Sequence, residues 1–251
     1  MNIVVSFKVV PDDQDIQIGS DRSLDTSKAP QTISTYDLNA IEAAVQLAQE
    51  TGGSLKGLSV GTAAINDSKL KKNALARGIE ELHFVADDAY CELDAYATAK
   101  VLACALKEMP DVSLVMCGDG SSDNYAQQTD VQLAEALGFP LVTAVSKITP
   151  EGNALLCERT LEEEIQVVRV NLPAVVSVVP DIAAPRIPGM KDILAAGKKP
   201  MHIESAVCPA DNTLISLSCA APEQADRKQD IRDFSADGAL ESFAAALKAS
   251  R

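Results

Sequence analysis

Residues 112–138 read VSLVMCGDGSSDNYAQQTDVQLAEALG, an order that predicts a buried strand, a tight turn and a helix. Val112 to Cys117 form an apolar run of strand length, short enough to be covered on both faces. Gly118 and Gly120 let the backbone turn sharply and approach a ligand closely. Ser121, Ser122 or Asp123 is placed to cap the helix, which Gly138 and Pro140 then end. A helix start behind small residues presents unpaired N–H groups and the positive end of a macrodipole. Both favour an anion such as phosphate. The same string also serves as an ordinary strand–loop–helix connection, so the flanking sequence has to decide.

Upstream, the pattern repeats. Residues 3–9, 54–60 and 81–85 read as strands, and 36–50, 63–77 and 94–109 as helices. Leu38, Ile41, Val45 and Ala48 fall at helical spacing, and Gly52-Gly53 stops that helix. A small hairpin is expected from residues 16–18 and Leu24. Strands alternating with helices of this length predict a doubly wound α/β fold around a mostly parallel sheet.

After Pro140 the rhythm changes. Residues 141–148, 154–160, 165–170 and 173–179 are four strand candidates, with turns at 150–153 and 161–164. They predict an antiparallel extension of the same sheet. From Pro180 the chain reads as irregular, ending in a weak amphipathic helix over 238–248. Residues 200–251 carry too little apolar surface to fold alone. Such a tail lies on its own domain, lies on a partner, or stays disordered.

The bulk properties exclude several classes. The chain has 251 residues, nearly half of them apolar, and a formal charge of −14. That balance argues against nucleic acid and against an anionic membrane surface, both of which need clustered Lys and Arg. Six cysteines without a C-x-x-C pair, and only two histidines, give no zinc signature, so no metal is expected. The cysteines read as reduced, partly buried thiols, and the chain as cytoplasmic, with no membrane insertion. His83 and His202 support no nucleophile–base arrangement, and no enzymatic role is expected.

In an open parallel sheet, ligands bind beyond the carboxyl ends of the strands near a topological switch point. The loops at residues 8–12, 60–62 and 118–124 are candidates to converge there, on a nucleotide. No G-x-G-x-x-G follows the first strand and no Walker lysine motif is present, which disfavours a nicotinamide or P-loop site.

Further along, Arg159-Thr160-Leu161-Glu162-Glu163-Glu164-Ile165-Gln166-Val167-Val168 and Pro173-Ala174-Val175-Val176-Ser177 resemble the signature of electron transfer flavoprotein β subunits. Cys157 departs from that pattern, which favours Val, Ile, Ala or Gly there. Lys8-Val9-Val10-Pro11-Asp12 and the helix start at Ser34–Ala44 are similar to family motifs, as is Pro185–Lys191 followed by Lys198-Lys199. The Cys117–Gln128 loop most resembles the Fix-type branch, associated with nitrogen fixation and carnitine metabolism.

The resemblance implies an adenine nucleotide alpha hydrolase-like α/β domain over residues 1–199 and an arm over 200–251 that contacts an α subunit. It implies a redox FAD shared with that α subunit, and AMP or a second FAD in this chain. Val9, Asn39, Val60, Gly61, Cys117, Gly118, Asp119, Gly120, Ser121, Ser122, Asp123, Ala126, Gln127, Gln128 and Thr129 should then line the nucleotide site. Asp119, Asp123, Gln127 and Thr129 should supply polar contacts, with Asp123 capping the helix or holding the loop. Met190 falls where the family presents an apolar anchor to acyl-CoA-type or other flavin dehydrogenases. A rival reading is a stand-alone adenine-nucleotide sensor related to universal stress proteins, which the loop fits but the Arg159–Ser177 signature does not.

Overall fold

The structure is a computed structural model that describes residues 1–223, 231 and 233–249. Its first strand, β1 (Asn2–Ser6), stops short of the expected residue 9, and β2 (Val9–Pro11) is a separate strand. The reason is local: the Lys8 N–H leaves the sheet and goes to the Asp37 carboxylate. The expected hairpin forms from β3 (Gln17–Ile18) and β4 (Leu24–Asp25), and β5 (Gln31–Ile33) pairs back on β2.

Helix α1 (Thr35–Thr51) ends at Gly52, whose φ of 60° is the left-handed cap geometry that favours glycine. After β6 (Ser54–Gly61), the single helix expected over 63–77 divides into a 3-10 turn (Ala63–Ile65) and α2 (Ser68–Ala76). Asp67 restarts the helix by accepting the Leu70 N–H at 2.9 Å. Strand β7 (Glu81–Ala86) and helix α3 (Ala95–Lys107) follow, then β8 (Leu114–Gly118) and α4 (Thr129–Leu137).

The remaining strands are β9 (Leu141–Glu151), β10 (Ala154–Thr160), β11 (Ile165–Asn171) and β12 (Ala174–Val178). Strand β9 runs through Pro150, so the turn to β10 shrinks to Gly152-Asn153. Within the stretch read as irregular lie α5 (Met190–Ala196) and β13 (Met201–Glu204), ahead of the terminal α6 (Ala239–Ala249).

Nine strands form one sheet in the order β11-β10-β9-β12-β8-β1-β6-β7-β13. Pairings from β9 across to β13 are parallel, and only β9-β10-β11 are antiparallel. The central strands are covered on both faces, which is why they read as unbroken aliphatic runs. Ile3 and Val5 of β1 join the core with α1 and α2, while Val4 joins the one with α3 and α4. Leu114 and Met116 of β8 divide from Val115 and Cys117 in the same way. Each such fully buried Val, Leu or Ile contributes about 1.5–3 kcal/mol. This is the doubly wound α/β fold expected from the sequence.

The sheet order locates the switch point. From β1 the chain moves one way through β6 and β7, then returns to place β8 on the other side of β1. The carboxyl ends of β1 and β8 therefore flank a crevice.

Beyond β13, residues 206–214 lie on the start of α3. Tyr90 donates from Oη to the Cys208 carbonyl at 2.6 Å, and Asp94 accepts the Thr213 and Leu214 N–H groups. All six cysteines are free. Among the described residues no helix is long and apolar enough to cross a membrane.

Candidate functional site

Asp37 organises the crevice. It sits buried in the first turn of α1, and its carboxylate accepts the Lys8 N–H at 2.7 Å and the Gly118 N–H at 3.2 Å. One side chain thus joins the end of β1 to the end of β8. Burial pushes its carboxyl up to about 7, against the opposing pull of the two N–H bonds and the Lys8 charge. Gly118 is needed for this approach: a Cβ there would stand 2.8 Å from Asp37 Oδ1.

The loop from 119 to 128 is longer than expected and is not the start of the helix. Helix α4 begins only at Thr129, behind Gln128, so Ser121, Ser122 and Asp123 do not cap it. Tyr125 and Gln127 explain the delay, since their φ of 44° and 53° break any helical run. Ser121 instead donates to Asp123 Oδ1, and Asp123 Oδ2 pairs with Lys8 Nζ. Of the two roles expected for Asp123, holding the loop is the one observed. Burial opposes ionisation of Asp123, but hydrogen bonds from Lys8 and Ser121 win and hold its carboxyl below the usual value.

A second set of contacts closes the loop on α1. Tyr125 packs on Tyr36 with ring centroids 4.9 Å apart, and its Oη donates to Asp119 Oδ2 at 2.9 Å. The Tyr125 ring lies so close to Gly120 that a Cβ there would meet it at 2.2 Å. Gln127 Nε2 reaches the same hydroxyl at 3.4 Å. Asp119 keeps one buried oxygen, Oδ1, without a partner, and burial raises its carboxyl above the usual range. Cys117, also buried, has its thiol pushed up by desolvation and by Asp130 and Asp37.

Helix α4 starts without a side-chain cap. Its first N–H groups and the unpartnered Asp119 oxygen thus leave both donors and an acceptor beside the crevice. Polar groups of this kind suit a ligand that carries phosphate and hydroxyl groups.

The other expected residues take different places. Val9 follows Lys8 on β2, and Val60 and Gly61 end β6 on the same carboxyl edge of the sheet. Gly61 makes room for Ile65, whose Cγ2 would lie 2.9 Å from a Cβ. Asn39 spends its amide on the chain itself, donating to the Pro180 and Ala183 carbonyls at 2.9 and 2.8 Å. Ala126 is exposed on the loop. Sequence reasoning placed Lys8 and Tyr125 in stretches expected near the site, but gave neither of them, nor Asp37, a role of its own. The only sequence signals were an acid in a helix first turn and a lysine at a strand end.

Arg159, the basic residue of the 159–177 segment, is structural: Nε and Nη2 reach the Thr143 carbonyl and Oγ1 at 3.1 and 3.0 Å. They tie β10 to β9 next to a register shift. Glu162 to Glu164 form an exposed turn, and β12 runs beside β8. Met190 opens α5 and is 75% exposed. The two histidines lie at the far β7–β13 edge.

The family model for the electron transfer flavoprotein domain matches residues 22–207 of this chain. Because that match takes in Asp37, the 118–129 loop, the β9–β12 segment and β13, the chain belongs to the electron transfer flavoprotein family.

Proposed function

We propose that this chain is the β subunit of a heterodimeric electron transfer flavoprotein of the Fix-type branch. It binds AMP, or a second FAD, at the β1–β8 crevice. An α subunit holds the redox FAD, which this chain helps to enclose, and the pair carries electrons from dehydrogenases to an acceptor in the cytoplasm. The chain itself performs no bond-making chemistry. FAD, when bound, supplies reversible electron acceptance; the residues here position and shield.

The observation that carries the reading is the meeting of Lys8, Asp37 and the Gly118–Thr129 loop at the switch point. The residues fit a nucleotide. Lys8 offers a cation, the α4 start offers N–H donors, and Asp119 Oδ1 offers an acceptor for a ribose hydroxyl or an adenine amino group. Lys8 is bonded to Asp123, so phosphate binding would exchange one anionic partner for another. Exposed Ile215, Leu217, Phe243 and Leu247 support an arm that a partner covers. A stand-alone sensor gives these residues no role.

Co-expression with an adjacent α-type gene should yield a yellow 1:1 complex. Mass spectrometry of the nucleotide released on denaturation should find AMP, or FAD at twice the flavin content if this chain holds its own. A colourless, stable, partnerless chain would refute the proposal.

A further inference from the structure

Strand β13 closes the sheet by pairing in parallel with β7, and its register sets His202 directly opposite His83. Side chains alternate along a strand, so Glu81 and His83 share one face, and a cross-strand partner of His83 joins them. The two imidazoles stack with centroids 4.7 Å apart and planes inclined by 18°. His83 Nε2 lies 2.7 Å and His202 Nε2 3.2 Å from one oxygen, Glu81 Oε1. One donor atom from each residue lies within 4.8 Å of the other two.

We propose that Glu81, His83 and His202 form a site for a divalent late transition metal such as zinc, which clamps β13 to the sheet. Metal–nitrogen and metal–oxygen bonds of about 2.0–2.1 Å in a tetrahedral shell put neighbouring donors roughly 3.3 Å apart. The 3.2 Å distance nearly equals that spacing and the 2.7 Å distance falls about 0.6 Å short of it, so side-chain rotations that part His83 from Glu81 admit an ion. Two imidazoles and one carboxylate suit zinc, nickel or copper, whereas magnesium and calcium prefer all-oxygen shells. The site is open on one side, since His83 is 15% exposed but His202 51%. An ion has a path in, and water completes its shell.

The surroundings favour a cation. Glu81 and His83 line a cavity with Glu108 and Glu204. Among the described residues, Lys56, with Nζ 3.2 Å from Glu81 Oε1, is the one cationic side chain lining it. An incoming ion displaces that ammonium from the carboxylate, leaving two further acids to balance its charge. The expectation of no metal rested on ligand spacing along the chain. The site is assembled instead by β13, whose pairing brings a distant histidine onto β7.

The clamp has a structural consequence. Among the described residues β13 is an edge strand with β7 as its single sheet neighbour, and the chain leaves it at residue 205 toward the 206–214 segment on the start of α3. Metal occupancy would therefore govern how firmly the root of the tail is held.

The test uses the full chain, with its partner subunit where the two co-purify, stripped with a chelator and titrated with cobalt(II). Expected is one cobalt per chain with the visible absorption of a four-coordinate nitrogen–oxygen site and no thiolate charge-transfer band. His202→Gln and Glu81→Gln should each weaken binding about tenfold or more, and zinc, but not magnesium, should displace cobalt. Hydrogen exchange at residues 201–204 should slow with cobalt in the unaltered chain alone. Absence of binding, thiolate-type spectra, or affinity unchanged in both variants would overturn the proposal. Flavin and nucleotide content have no part in these readouts, so the result stands apart from the proposed function.

Discussion

Asp37 reaches across the switch point to hold Gly118, accepting its N–H at 3.2 Å from a buried position. The same carboxylate takes the Lys8 N–H, so two strand ends on either side of the crevice depend on one α1 side chain. That residue should be visible in the pH dependence of stability. Its folded carboxyl is raised by burial to about 7 from an ordinary 3.8, so the folded chain holds this proton more tightly than the unfolded chain. Stability from this group is complete below about pH 4 and is lost as pH rises through about 7. Asp37→Asn cannot titrate. The stability of the unaltered chain relative to Asp37→Asn should therefore fall by a few kcal/mol across that window, at about 1.4 kcal/mol per unit. Urea denaturation at several pH values checks it, and a flat difference would contradict it.

Gly120 is constrained by Tyr125 rather than by backbone conformation. Because a Cβ there would meet the ring at 2.2 Å, Gly120→Val should expel Tyr125 from its place against Tyr36. Tyr125 would then also lose Asp119, and the loop its fixed shape. Nucleotide recovered per chain after denaturation should drop severalfold, and heterodimer yield with it. Unchanged nucleotide content would make the loop a plain connection.

The Lys8–Asp123 pair separates binding from folding. Both side chains are partly exposed, at 44% and 29%, so the pair itself adds no more than about 1 kcal/mol to stability. Lys8→Met should thus leave the urea midpoint nearly unchanged while weakening AMP binding about tenfold. Asp123→Asn frees Lys8 from its partner and should tighten AMP binding. Calorimetry on nucleotide-depleted protein decides this; equal effects of the two substitutions would show that the pair only orders the loop.

Much of the fold was legible because its signals are local. The aliphatic runs of β1, β6 and β8 need covering on both faces, and Gly52 and Gly138 mark helix ends where φ of 60° and 68° suits glycine. What escaped was set by distant pairing. Met201–Glu204 is too short and too exposed to read as a strand until β7 supplies its hydrogen bonds. The long 119–128 loop escaped too, since Tyr125 and Gln127 take left-handed φ values that their side chains do not announce. At the crevice, the close neighbours of Gly118 and Gly120 are Asp37 and Tyr125 of the chain itself, where the sequence suggested room for a ligand. Asp37 was not legible, because an acid in a helix first turn ordinarily faces solvent and complements the dipole. Asn39 looked like a ligand contact, but its amide is already taken by the 180–183 turn.

Met190 tests the docking role separately from assembly. It is 75% exposed, with Ile187 at 94% and Leu194 at 70%, an apolar group presented to solvent at the start of α5. The base beneath it is firm. Arg186 grips the buried Glu42 through Nε and Nη2 at 2.6 and 2.9 Å, and Arg77 donates to the Arg186 carbonyl. Lys199 ties the far side of α5 to the Leu75 and Ile79 carbonyls. A flexible thioether on a fixed base is suited to fill a partner's apolar pocket. Met190→Ala should leave subunit assembly and flavin content intact and raise the KM for a reduced dehydrogenase donor about tenfold, the scale of one interface anchor. Arg186→Met differs in kind, because it strands the Glu42 carboxylate and should lower thermal stability together with donor coupling. Normal donor kinetics in Met190→Ala, with a deficit only in Arg186→Met, would reduce this segment to a structural strap.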